Sequence, residues 1–171
     1  EALYTAIVTD TGGFGFSNTT PNTHRISAEL LEYGLDVDRL TTLIYRSNPV
    51  EKIKLSAKVL NTLELHFRNK VAFLTVTQSM VNETGADDNG TDGIINFAID
   101  IIGIECAALF KELSGNRTKV SFRTKAMVDA STVASMFGGG GHKRAAGCII
   151  EEGLERSKTL ILEAVQSNFE E

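Results

Sequence analysis

The run Gly138–Gly147, GGGGHKRAAG, follows directly on DASTVASMF (Asp129–Phe137), and its reading decides the fold of the second half of the chain. A flexible linker of this kind would carry serine and would have nothing packed on either side. Here the glycines are wedged between a short amphipathic helix capped by Asp129 and the apolar strand pattern AAGCIIEE. Consecutive glycines permit positive φ and let backbone N–H groups approach an anion closely. A histidine placed directly after them can donate to the same anion, Lys143 and Arg144 add charge, and Ala145 and Ala146 permit close packing. A phosphate cradle is favoured, with a structural tight turn as its alternative.

Working outward, TKVSFRTKA reads as a strand on which Lys119, Ser121, Arg123 and Lys125 share one face by the period of two. Arg123 can be the outward side of an exposed strand or a guanidinium fork for phosphate, and residue pattern alone does not choose. IECAALFKEL pairs with it as an antiparallel hairpin about Ser114–Arg117. KVAFLTVT (Lys70–Thr77) is a further strand, and TDGIINFAIDIIG is a helix with Ile94, Phe97, Ala98 and Ile101 inward. LERSKTLILEAVQSNF is a terminal helix. Upstream, PVEKIKLSAKVLNTLELHF places Ile53, Ala57, Leu60 and Leu63 or Glu64 at helical spacing, with His66 on the solvent side.

ALYTAIVTD (Ala2–Asp10) is apolar and β-rich and reads as a strand ending in a carboxylate before TGGFGF. Ligands of open α/β sheets gather at such strand ends, so Asp10 is a candidate metal ligand; an Asx turn is its plainer alternative. A helix follows with Thr20 as N-cap, Pro21 at its first position, Ile26, Leu30 and Leu31 on one face, and Gly34 as C-cap. Another starts at Asp36 or Asp38. His24 is read as a surface residue. The chain breaks at Asn48-Pro49.

The totals bound the function classes. The 171 residues carry a net charge of −5 and are 42% hydrophobic, enough for a sizeable core but no polyanion magnet overall. Any anionic ligand must be held by a local patch. Cys106 and Cys148 stand alone in apolar runs, as core thiols of a reducing, cytoplasmic compartment, although two thiols can pair. No membrane span or export signal is visible, so the N-x-S/T triplets at Asn18, Asn82, Asn89 and Asn116 carry no weight. Thr84–Gly93, TGADDNGTDG, lacks the acid a calcium loop needs at its end, and Asp92 is read as complementing a helix dipole. GGFGF lacks the further glycine and acid of a dinucleotide fingerprint.

With these residues in place, GGGGHKRAAG resembles the glycine-histidine signature of the DHHA1 domain, the substrate-binding domain of the DHH phosphoesterase superfamily. VTDTGGFGFSNTTPNT is similar to that superfamily's fourth metal motif, and VSFRTKAMVDASTVASMFGGGGHKRAAG and TQSMVNETGADDNGTDGIINFAIDIIGIECAALFKE resemble its nanoRNase branch. The resemblance implies an α/β chain in three parts. Residues 1–48 would be the C-terminal end of a parallel-sheet DHH catalytic domain, 49–68 a connecting helix, and 69–171 a DHHA1 domain with a mixed sheet and flanking helices. It implies a Mn²⁺-dependent hydrolase (Mg²⁺ as the substitute) acting on short single-stranded RNA and adenosine 3′,5′-bisphosphate. Asp10 would bind metal, while Arg123, Lys125, His142 and the backbone of Gly139, Gly140 and Gly141 would bind substrate. The alternatives are a nucleotide-binding module without turnover, or a cyclic-dinucleotide phosphodiesterase or single-strand exonuclease of the same superfamily. The chain has three histidines, none adjacent, and no Asp-His pair, so it looks like a C-terminal fragment expected to be inactive alone. A two-metal centre needs several ligands. No membrane partner is expected, and a homodimer is left open.

Overall fold

The computed structural model describes residues 1–87 and 90–169; Asn89 and the centre of the Thr84–Gly93 loop lie outside the described residues. The chain divides between Asn48 and Pro49 into two compact units.

The first unit holds helices α1 (Ala2–Asp10), α2 (Pro21–Leu31) and α3 (Val37–Tyr45). Sequence pattern predicts a strand for Ala2–Asp10, and this is corrected. β-propensity expresses packing against neighbouring strands, and the described residues of this unit form none. In the helix, Tyr4 and Val8 fall four residues apart on one face and pack with Leu40 of α3 in a small core completed by Phe14, Leu30 and Leu35. Positive φ at Gly12, Gly13 and Phe14 carries the chain away from the helix end. Thr20 caps α2 in a reciprocal capping box with Thr23, Pro21 opens it, and Asp36 caps α3 through Arg39 N–H at 2.9 Å. The apolar face predicted for α2 is only partly inward: Ser27 is buried, whereas Ile26 and Leu31 are exposed. The helix closes at Glu32 rather than at Gly34, which follows in the left-handed conformation.

The second unit is α/β with a mixed six-stranded sheet. Its strands are β1 (Glu64–His66), β2 (Val71–Val76), β3 (Cys106–Leu113), β4 (Arg117–Thr124), β5 (Gly140–His142) and β6 (Ala145–Ile150), in the spatial order β1-β2-β3-β4-β6-β5. Only β2 and β3 are parallel, so their connection must cross over, through α5 (Gln78–Thr84) and α6 (Ile94–Ile99). Strand β2 is buried at every residue, as its run, apolar but for Thr75, requires of a strand covered on both faces. One face packs Phe73, Phe110, Phe122 and Val120 under α7 (Ala130–Ser135) and α8 (Leu154–Gln166). The other packs Leu74, Leu109 and Ala107 under α4 (Val50–Leu60) and α6.

The predicted connecting helix therefore needs correction. It ends at Leu60, and Glu64–His66 turns back as an edge strand beside β2. It also packs on the sheet rather than merely joining parts: Leu55 and Val59 are fully buried while Ile53 points to solvent. Leu55→Ala should cost about 3 kcal/mol, the usual scale for emptying a buried leucine site, read as a lower urea midpoint of the second unit. His66 is likewise half-buried, tilted on Phe73 with ring centroids 4.8 Å apart. Phe97, expected inward, is exposed because α6 is a single short helix whose inner face is filled by Ile94, Ile95 and Ala98. Cys106 and Cys148 are both free and buried, and burial pushes their thiols up to about 12 and about 11, which keeps them inert at neutral pH.

Candidate functional site

The glycine run has two parts with separate jobs. Gly138 takes a left-handed φ of +71°, Gly139 N–H donates to Ala134 O at 2.9 Å and Gly138 N–H to Ser135 O at 3.1 Å. These crossed bonds are the Schellman closure of α7. The Gly139 amide is thus spent within the protein and is not open to an anion. Gly140 and Gly141 then begin strand β5, which pairs Gly140 with Gly147, Gly141 with Ala146 and His142 with Ala145. The turn at Lys143 and Arg144 is anchored: Lys143 O accepts from Ala130 N–H at 2.9 Å and Arg144 O from Thr124 N–H at 3.1 Å. The Arg144 guanidinium donates to Val128 O at 3.2 Å. A fixed hairpin, not a loose loop, presents His142.

The register of β4 against β6 aligns Arg123 with Ala145 and Ser121 with Gly147. Combining the two ladders puts Arg123, Ala145 and His142 in one row and Ser121, Gly147 and Gly140 in the next. Side chains in a row leave the same face of a sheet. Two strand spacings, on the order of 10 Å, separate Arg123 from His142, with only an alanine methyl between them. The positions beside Ala145 and His142 on this face are Gly147 and Gly140, so it is a shallow floor with a cation at one side and an imidazole at the other. The Arg123 guanidinium donates to Phe122 O at 3.0 Å and has no ionic partner among the described residues. Lys125 lies just beyond β4 and reaches Ile101 O at 3.4 Å, a weak contact it can give up. Arg123 also enters a groove of about 390 Å³ shared with Lys119, Ser121 and the turn Thr91–Gly93 before α6. Sequence reading missed this turn's place in the site, because only the crossover brings it over β4.

A wider hollow of about 910 Å³ lies at the opposite end of β4, lined by Glu112, Glu152 and Glu155 as well as Arg117 and Arg156. Its mixed charge gives an anion no preference.

Asp10 stands apart. It is the exposed last residue of α1, at a helix end and not at a strand end. A carboxylate there opposes the helix dipole. Its Oδ2 accepts from the Asn18 amide at 3.0 Å, which offsets part of that cost. His24 stacks on Phe14 with centroids 4.9 Å apart. Among the described residues no three His, Cys, Asp or Glu side chains come together as a metal site, so the residues present do not form a metal centre by themselves.

The comparisons agree with this architecture. The DHHA1 domain family matches residues 68–171. Over 170 residues the chain is 34% identical to the bifunctional oligoribonuclease and PAP phosphatase NrnA of Thermus thermophilus, covering 98% of this chain and 50% of that protein. The NrnA protein of Bacillus subtilis is 28% identical over 150 residues, covering 88% of this chain and 47% of its own length. A solved exopolyphosphatase-related protein from Bacteroides fragilis shares the fold, with a TM-score of 0.88 at 22% identity over 94% of this chain and 47% of that one. The chain therefore belongs to the DHHA1 family. It spans about half the length of the curated relatives it matches. No helix among the described residues is long and apolar enough to cross a membrane.

Proposed function

We propose that the whole protein is a metal-dependent phosphoesterase that hydrolyses short oligoribonucleotides and adenosine 3′,5′-bisphosphate, and that this chain supplies the substrate grip. The row Arg123–Ala145–His142 supports the reading above all else. An unpaired guanidinium and an imidazole face one flat, small-residue floor, an arrangement suited to a phosphoryl group with a planar base beside it. Lys125 adds positive charge at the rim. Gly140 and Gly147 keep the floor free of side chains, and of the β5 glycines, Gly140 and Gly141, only the one whose amide faces away from β6 remains a candidate for the anion. Mn²⁺, or Mg²⁺ in its place, would supply Lewis-acid chemistry at phosphorus when bound in the whole protein. Asp10 would contribute one carboxylate to it. That role accounts for an acid placed where the helix dipole disfavours it.

For the 171-residue chain alone we propose nucleotide binding without turnover, because one aspartate cannot hold two metal ions. Incubation with Mn²⁺ and a labelled RNA dinucleotide should give no product. Titration calorimetry with adenosine 3′,5′-bisphosphate should give saturable binding that His142→Ala weakens by about five-fold, the loss of one modest hydrogen bond. Turnover by the isolated chain would overturn the division of labour. Absence of nucleotide binding would overturn the grip.

A further inference from the structure

Asp92 is a carboxylate on an anion grip. With Thr91 and Gly93 it lines the groove that Lys111, Lys119, Ser121 and Arg123 also line. It is exposed, and the structure gives it no hydrogen-bonding or ionic partner among the described residues. No cap bond ties it to α6, and the dipole of so short a helix favours it only weakly. The helix is six residues long and is capped by Gly93 at a φ of +84°, with no side-chain cap bond. Nor does Asp92 neutralise Lys119 or Arg123 in an ion pair. What remains is its effect on whatever enters the groove.

A phosphate held by Arg123 is repelled by this carboxylate, since like charges at close range oppose one another. An ionised carboxylate can only accept hydrogen bonds. Asp92 therefore disfavours a bare polyanion and favours a ligand that brings donor groups next to its phosphate. A site built to accept such a bond rejects analogues that lack the donor, because the acceptor is then left unpaired. We propose that Asp92 reads the nucleoside part of the ligand, accepting a hydrogen bond from a ribose hydroxyl or an exocyclic amine, and so selects nucleotides over inorganic polyphosphates. The inference rests on the nucleotide-grip reading of this site and adds its specificity. A 2′-hydroxyl is also the group that separates RNA from DNA.

The test is calorimetry on the full chain and on Asp92→Asn and Asp92→Ala, with circular dichroism confirming the fold. The probes are adenosine 3′,5′-bisphosphate, its 2′-deoxy and inosine analogues, and pyrophosphate. Both variants should bind the adenosine bisphosphate about ten-fold more weakly while binding pyrophosphate more tightly, a reversal that simple charge removal does not produce. Loss of the ribose–deoxyribose difference in the variants identifies a hydroxyl as the donor, and loss of the adenosine–inosine difference identifies the amine. Equal or tighter binding of the nucleotide by both variants would overturn the proposal while leaving the grip intact. A wild-type chain that binds pyrophosphate but no nucleotide would overturn grip and specificity together.

Discussion

Arg123→Ala should lower nucleotide affinity by roughly 10- to 100-fold while leaving the unfolding midpoint nearly unchanged. A hydrogen bond to a charged group is worth about 1.5–3 kcal/mol, which sets that range. The fold is spared because Arg123 leaves β4 on the face opposite Val120 and Phe122, which supply the core. Its own bond within the protein is a single contact to the carbonyl of Phe122. Arg123→Lys should recover part of the loss, since an ammonium keeps the charge but not the planar fork. Calorimetry on the three proteins separates the cases. Affinity within two-fold of wild type in Arg123→Ala would remove the guanidinium from the site.

The second large effect is on stability and divides the glycine run residue by residue. A Cβ on Gly139 would lie 2.2 Å from Gly147 O and 2.7 Å from Cys148 Cα, both backbone atoms of β6. Neither can yield without separating the end of α7 from the sheet. Gly139→Ala should therefore cost about 3 kcal/mol, at the upper end of overpacking effects. Gly141→Ala should be comparably costly, with Ala145 O at 2.6 Å and a φ of +145°. Gly138→Ala meets no atom but must hold φ at +71°, at a cost of about 1 kcal/mol. Gly140→Ala meets nothing within 4 Å and has an ordinary φ, so the fold should not register it. Its methyl would rise from the ligand floor, and weaker nucleotide binding in a normally stable protein is the expected result. Urea denaturation of the four variants gives the order, and equal destabilisation by all four would refute it.

Where local chemistry was sufficient, the sequence could be read directly. Asp129 caps α7 through Ser131 and Thr132 N–H, and Thr20 and Pro21 open α2. The β3–β4 hairpin is legible because alternation on β4 and a turn at Ser114–Asn116 are both local signals. Where neighbours decide, it was not. ALYTAIVTD is as apolar and β-rich as a strand, yet without strands to pair with it closes its hydrogen bonds on itself. The helical spacing of Ile53, Ala57 and Leu60 is present, but α4 buries Leu55 and Val59 instead, because its position on β2 selects the face.

The same division runs through the site. The residues themselves, an arginine on a strand and a histidine behind glycines, were visible from the first, and with them the family. Their meeting was not. Arg123 and His142 share a row only because β6 lies between β4 and β5 in one particular register, and a slip of one residue would send either side chain to the other face. Asp92 shares a groove with Arg123 only because the β2–β3 crossover brings α6 back over β4. The chemistry of each residue is local and is written in the sequence. Their common address depends on pairing between distant segments, and that is set by the burial of both sheet faces as a whole.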